Sequence, residues 1–328
     1  REAPTPPTLA VTRSGGRFPR TTMTPDTPSP RTAATAAHAA IAHARQRLRD
    51  ARRAFLDHGD ADSLHDLRVA LRRLRGTLRL YRDVADLPRR LDDRALRRLG
   101  RRFTRLRDLD IVLGALDGER DTARDRDAES LALLVAHLAD ARLRAASAAK
   151  YELRRPRTRR LLRALKRWER APDFLVEPDA PASAVLPDVV RSVADELAVH
   201  PGWDVLPALD GAGRFRDPDG AREPEQLERS LHALRRAAKR TRYVLEAASA
   251  GLGRDESDAI AFLQEVQDVL GELQDARVIE AYLASCAPEE RPFALEVRLR
   301  HRRRAAIRRW RETRRRRAAP VVAAAALS

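Results

Sequence analysis

Residues Leu64-His65-Asp66-Leu67-Arg68-Val69-Ala70-Leu71-Arg72-Arg73-Leu74-Arg75-Gly76-Thr77-Leu78-Arg79 decide how the rest of the chain is read. On a helix, Leu64, Leu67, Leu71, Leu74 and Leu78 fall into one seam. His65, Arg68, Arg72, Arg75 and Arg79 fall into a narrow stripe beside it. The spacing therefore predicts a helix with a leucine seam in a core and a basic ridge about 21 Å long at the seam's edge. Asp66 is the sole acid among residues 64–82, against six arginines. Like charges three and four residues apart repel, so such a ridge weakens its own helix unless an anion compensates. That anion is either an external polymer or acids on neighbouring helices, for which Asp108, Asp110 and Asp275 are the candidates.

The same pattern returns 167 residues later as Leu231-His232-Ala233-Leu234-Arg235-Arg236-Ala237-Ala238-Lys239-Arg240-Thr241-Arg242. Seven of the twelve aligned positions, 64–75 against 231–242, are identical, and Lys239 replaces Arg72 with charge kept. The second ridge is His232, Arg235, Lys239 and Arg242, ending at Glu246. The offset also pairs Leu106 with Leu273, Asp108 with Asp275, and Leu116 with Leu283. A repeat this long is not a solenoid unit. It predicts an all-α protein of two related helical bundles.

Composition agrees with helices. Apolar residues make up 43%, enough to build a core, while Gly and aromatic residues are scarce, which excludes an all-β fold. Helical pattern runs over 34–58, 61–86, 89–117, 126–155 and 157–170, then over 188–199, 224–249, 255–285 (with a break near Gly271) and 291–318. The expected organisation is a Pro/Thr/Arg-rich disordered tail at 1–33, a first bundle at 34–170, and a Pro-rich linker at 171–186. A second bundle follows at 187–318, with a short tail at 319–328. Met23, the sole methionine, is read as a translation start.

Charge narrows the function. With 65 Lys+Arg against 48 Asp+Glu the chain carries +17. Arginine in place of lysine is explained by codon bias, but the excess of cations is not. Further basic stretches lie at 150–170, with ten cations and two acids, and at 291–318, with thirteen arginines and two acids. Trp168 and Trp310 occupy similar places in these stretches and read as core. A lone Cys286 excludes a disulfide framework and a cysteine zinc site, and no stretch has the length of a membrane span. His65 and His232 have no partner at metal-ligand spacing, so no metal, cofactor or catalysis is expected. Two paired basic rows instead suit a linear polyanion. Backbone-only nucleic-acid binding is the alternative, although the ridges hold no aromatics on which bases could stack. A cytoplasmic location is expected, and oligomeric state is left open.

The His-x-Leu-Arg ladders, Leu106-Arg107-Asp108-Leu109-Asp110, and Leu270-Gly271-Glu272-Leu273-Gln274-Asp275-Ala276-Arg277 together resemble the CHAD family, the histidine-containing α-helical domain. The resemblance covers nearly all of 34–318. It implies two four-helix bundles related by pseudo-twofold symmetry, with a basic surface or pore between them, and association with inorganic polyphosphate and its granules. Carried over by position, the implied ligand-facing residues are His65, Arg68, Arg72 and Arg75, with Arg79 on the same stripe, then His232, Arg235, Lys239 and Arg242. The Glu-x-Glu-x-Lys motif of the triphosphate hydrolase to which some members are fused is absent from the sequence. A stand-alone binding domain is the expectation.

Overall fold

The computed structural model describes residues 32–91, 93–119, 125–210, 215–220, 222–252, 256–287 and 291–316. Within them the chain is all-α. The helices are α1 (Ala33–Asp57), α2 (Ala61–Leu80), α3 (Asp93–Arg101), α4 (Thr104–Asp117), α5 (Asp125–Arg154), α6 (Pro156–Arg170), α7 (Ala182–Ala198), α8 (Pro224–Leu252), α9 (Ser257–Ser285) and α10 (Phe293–Arg315). A two-residue antiparallel pair, β1 (Ala208–Leu209) with β2 (Phe215–Arg216), completes the described elements. No described helix is long and apolar enough to cross a membrane.

The helix starts follow local chemistry. Thr32 and Thr35 form a reciprocal cap at α1, and the Asp60 side chain accepts a 2.8 Å hydrogen bond from the Ser63 N–H at α2. The leucine seam of α2 is buried as its spacing predicts: Leu64, Leu67, Leu71 and Leu74 are at most 3% exposed. They join one apolar core that also takes Leu231, Leu234, Ala238 and Leu245 from α8, with residues of α1, α6, α7 and α9. A smaller core gathers Val112 and Leu116 of α4, Leu131 and Leu138 of α5, Ile279 and Leu283 of α9, and Leu295 and Leu299 of α10. Both cores mix helices from before and after residues 171–186. The basic helices of the two halves, α2 and α8, consequently pack directly on each other.

Gly76 sets the distance of that crossing. A Cβ there would lie 2.7 Å from the Tyr243 Cβ and 3.2 Å from its backbone, so only glycine lets α2 and α8 approach this closely. Trp168 and Trp310 are both core residues. Trp310 stacks on Trp203 with ring centroids 5.6 Å apart and donates its indole N–H to the Val205 carbonyl at 2.9 Å.

The structure departs from the sequence reading in four places. The helix expected at 89–117 is divided into a 3-10 turn at Arg89–Leu91, α3 and α4. The chain turns at Arg102–Phe103 so that Phe103 can bury against Phe55, their ring centroids 6.4 Å apart. The segment 171–186 is pinned, since Leu175 N–H donates to Val84 O and Ala33 N–H to Ala180 O, both at 2.8 Å. Helix α7 begins within it at Ala182 and carries Pro187 internally. Finally, α9 runs unbroken through Gly271. Residues 1–31, including Met23, and 317–328 lie outside the described residues.

Candidate anion-binding site

The crossing of α2 and α8 brings the two arginine stripes together. Arg68 and Arg72 come from α2, Arg235 and Lys239 from α8, and Arg107 from α4. They lie within electrostatic reach of one another: Arg68 faces Arg72, Arg107 and Arg235, and Lys239 faces Arg235, Arg72 and Arg68. All five are partly buried. Among the described residues, no carboxylate lies within 4.0 Å of Arg68, Arg72, Arg235 or Lys239, and the Arg72 Nε is buried without a hydrogen-bond partner.

The charges strain against this placement. Burial, then Arg72 and Arg107, bring the Arg68 guanidinium down to about 10, below its ordinary value. Burial, then Arg235, Arg72 and Arg68, bring the Lys239 ammonium down to about 6 from 10.5. Among the described residues, acids act on the cluster without coming within 4.0 Å of Arg68, Arg72, Arg235 or Lys239: Asp275 and Asp268 act on Arg235, and Asp108 on Arg68. Asp275 approaches Arg107 at 3.6 Å, and burial raises the Asp108 carboxyl despite Arg68 and Arg107. Asp110, expected as a third neighbour, accepts from Arg142 Nε at 2.7 Å, while Arg107 and Arg68 act on it from further off.

Gly271 of α9 makes room for Arg235. A Cβ at Gly271 would sit 2.6 Å from the Arg235 Nη2. The guanidinium lies across that gap, and its Nε donates to the Gln267 carbonyl at 3.1 Å. His232 Nδ1 donates to the Gln274 side-chain oxygen at 3.0 Å, which ties the second ladder's histidine to α9. His65 is exposed at the α4 end of the cluster. Both rings are held below the usual histidine value, by desolvation first and then by neighbouring arginines.

An open groove of about 680 Å³ leads away from the cluster, with Arg72, Lys239 and His232 in its wall and α3 and α7 at its sides. Of the two compensations left open by the sequence, an outside anion or groups on neighbouring helices, the second holds for part of each ladder. Arg75 bonds Asp93 at 2.8 Å and Arg79 reaches the same carboxylate at 3.8 Å. Burial alone would raise the Asp93 carboxyl, but hydrogen bonds from Arg75 and Arg97 hold it down at about 2. Arg242 is likewise occupied, by Gln264, by Glu246 at 3.7 Å and by the Tyr243 ring at 4.8 Å. The physical reason is that the folded chain sets the polar groups of other elements, Asp93 of α3 and Gln264 of α9, against these positions. The reading from ladders alone also missed Arg107, although it sits inside the quoted 106–110 motif. Among the described residues, no group of three or more His, Cys, Asp or Glu gathers as a metal site.

A family model described as the CHAD domain matches residues 39–284. The crystal structure of the CHAD domain from the plant Ricinus communis is similar to this chain at 25% identity and a TM-score of 0.57, covering 90% of this chain and 93% of that one. PptA from Streptomyces chartreusis is similar in fold at 21% identity and a TM-score of 0.61, covering 86% and 99% respectively. No curated protein sequence matches the chain. Since the family match spans well over half of the 328 residues, the chain belongs to the CHAD domain family.

Proposed function

We propose that the chain binds inorganic polyphosphate in the groove between α2 and α8, without a catalytic step of its own, and that binding recruits it to polyphosphate granules. One observation carries the reading. Arg68, Arg72, Arg235 and Lys239 converge from two helices while the chain supplies none of them with a carboxylate within 4.0 Å, counting the described residues. Phosphoryl oxygens would take the donors left open, as charge-assisted hydrogen bonds, and relieve the mutual repulsion. A repeating anion suits the site better than a single one because Arg72 and Lys239 open into a groove whose wall continues through Arg97, Arg101, Arg236 and Arg240, with Arg68 and Arg235 behind it.

The deciding experiment is binding of the purified chain to polyphosphate of defined length, with orthophosphate, ATP and RNA as competitors, over a salt series. Affinity is expected to fall with salt, with a log–log slope of about −3 if four or five phosphates contact the cluster. Long polyphosphate is expected to displace RNA at equal phosphate concentration. Salt-independent binding, or RNA displacing polyphosphate, overturns the reading. Charge reversal of Arg68, Arg72, Arg235 and Lys239 to Glu is expected to abolish granule localisation. Retained localisation would point to recruitment by a protein.

A further inference from the structure

Helix α5 stands apart from the rest of the surface. Five acids balance five Lys+Arg along Asp125–Arg154, in a chain of net charge +17. Its inner face packs on α4 through Leu131, Leu134 and Leu138. Its outer face carries three of the largest exposed apolar side chains in the described residues: Leu133 at 68%, Leu143 at 65% and Tyr151 at 67%. Between Leu133 and Tyr151 the exposed line is completed by Ala136, Asp140, Arg144 and Ala148.

This line is complementary to itself. Leu133 and Tyr151 are eighteen positions apart, five full turns, so they share one face over about 27 Å. Lay two copies of α5 antiparallel with the twofold axis level with Arg142. Leu133 of each copy then opposes Tyr151 of the other, Ala136 opposes Ala148, and Asp140 opposes Arg144. Asp140 and Arg144 already pair within one helix, so the axis would create a closed square of four alternating charges. Elsewhere the basic surface repels a second copy, but α5 contributes no net charge to that repulsion. The groove between α2 and α8 takes no residue of α5 into its wall, so it stays open.

We propose that two copies of this chain associate through antiparallel packing of α5 in this register. Sedimentation velocity on the full chain, without polyanion, tests it. A dimer growing with concentration is expected. Asp140→Arg and Arg144→Asp are each expected to weaken it at least tenfold, because each places like charges across the axis. An equal mixture of the two variants restores the dimer, since the cation introduced at position 140 of one copy then meets the carboxylate introduced at position 144 of the other. Far-UV circular dichroism checks that each variant keeps its helices. A wild-type chain that stays monomeric to ~100 μM overturns the proposal. So does a dimer indifferent to both single variants and to Leu133→Asp, and so does a mixture that fails to recombine.

Discussion

Arg303 and the α2/α8 cluster are two ways of placing cations inside one protein. Arg303 is 3% exposed, donates to Glu280 at 2.8 Å and to Glu228 at 3.4 Å, and lies over the Phe215 ring at 4.3 Å. Arg68, Arg72, Arg235 and Lys239 are partly buried too, yet no carboxylate of the described residues comes within ion-pair distance. Folding itself satisfies the first cation. The second group is left at a cost that an arriving anion can remove. A buried cation with a built-in acid is part of the scaffold, whereas a group of cations without acids is a candidate for a ligand.

The largest effect is expected at Arg303. Arg303→Met leaves Glu280 without its cation beside Glu228, which keeps Arg277 at 2.6 Å, and is expected to lower stability by about 3 kcal/mol. Urea unfolding reads this, and the salt slope of polyphosphate binding should not move. If stability holds, Arg303 is not the structural member of the pair. The opposite result is expected in the cluster. Arg72→Ala or Arg235→Ala should weaken polyphosphate binding about tenfold and flatten the salt slope by about 0.7, with thermal stability unchanged or slightly raised at low salt. A cluster variant that unfolds the chain while sparing affinity would erase the distinction.

Protonation sharpens it further. Lys239 has a folded value of about 6 against an ordinary 10.5. Between these values the unfolded chain holds more protons than the folded one, so the unliganded protein gains stability as pH rises through that window. It loses that contribution as pH falls towards 6. A bound polyanion favours the charged amine, so binding at pH 7 to 8 is expected to take up a proton and affinity to fall about fivefold from pH 6 to pH 8. Calorimetry in buffers of different ionisation enthalpy measures the uptake, which Lys239→Met should remove. The smallest effect is expected at Gly271→Ala. The new methyl group collides with the Arg235 Nη2, the far end of a flexible side chain, so the guanidinium shifts. Polyphosphate affinity should drop about threefold, roughly 0.6 kcal/mol, with unfolding nearly unchanged. A loss of stability instead would mean that the contact holds α8 to α9 rather than aiming a ligand group.

Much of this was legible in the order of residues. The 3.6-residue period of leucines in α2 set the buried face, and the stripe beside it located Arg68 and Arg72. The matched spacing at 231–242 located Arg235 and Lys239. Pattern could not tell that Arg75 and Arg79 would meet Asp93, eighteen and fourteen residues on, because the turn before α3 decides where that carboxylate lands. Nor could it separate Arg303 from its many arginine neighbours in α10, since its carboxylates come from α8 and α9. The backbone partners of the Pro-rich segment 171–186, Val84 and Ala33, stayed hidden for the same reason, since they are distant in sequence.

By itself, then, the order of residues determined the helices, their buried faces and the excess of positive charge, because periodicity and composition act locally along the chain. Tertiary structure alone decided which of those charges remain open. A guanidinium is neutralised by whatever packs beside it, and that neighbour comes from helices brought together only when the core closes.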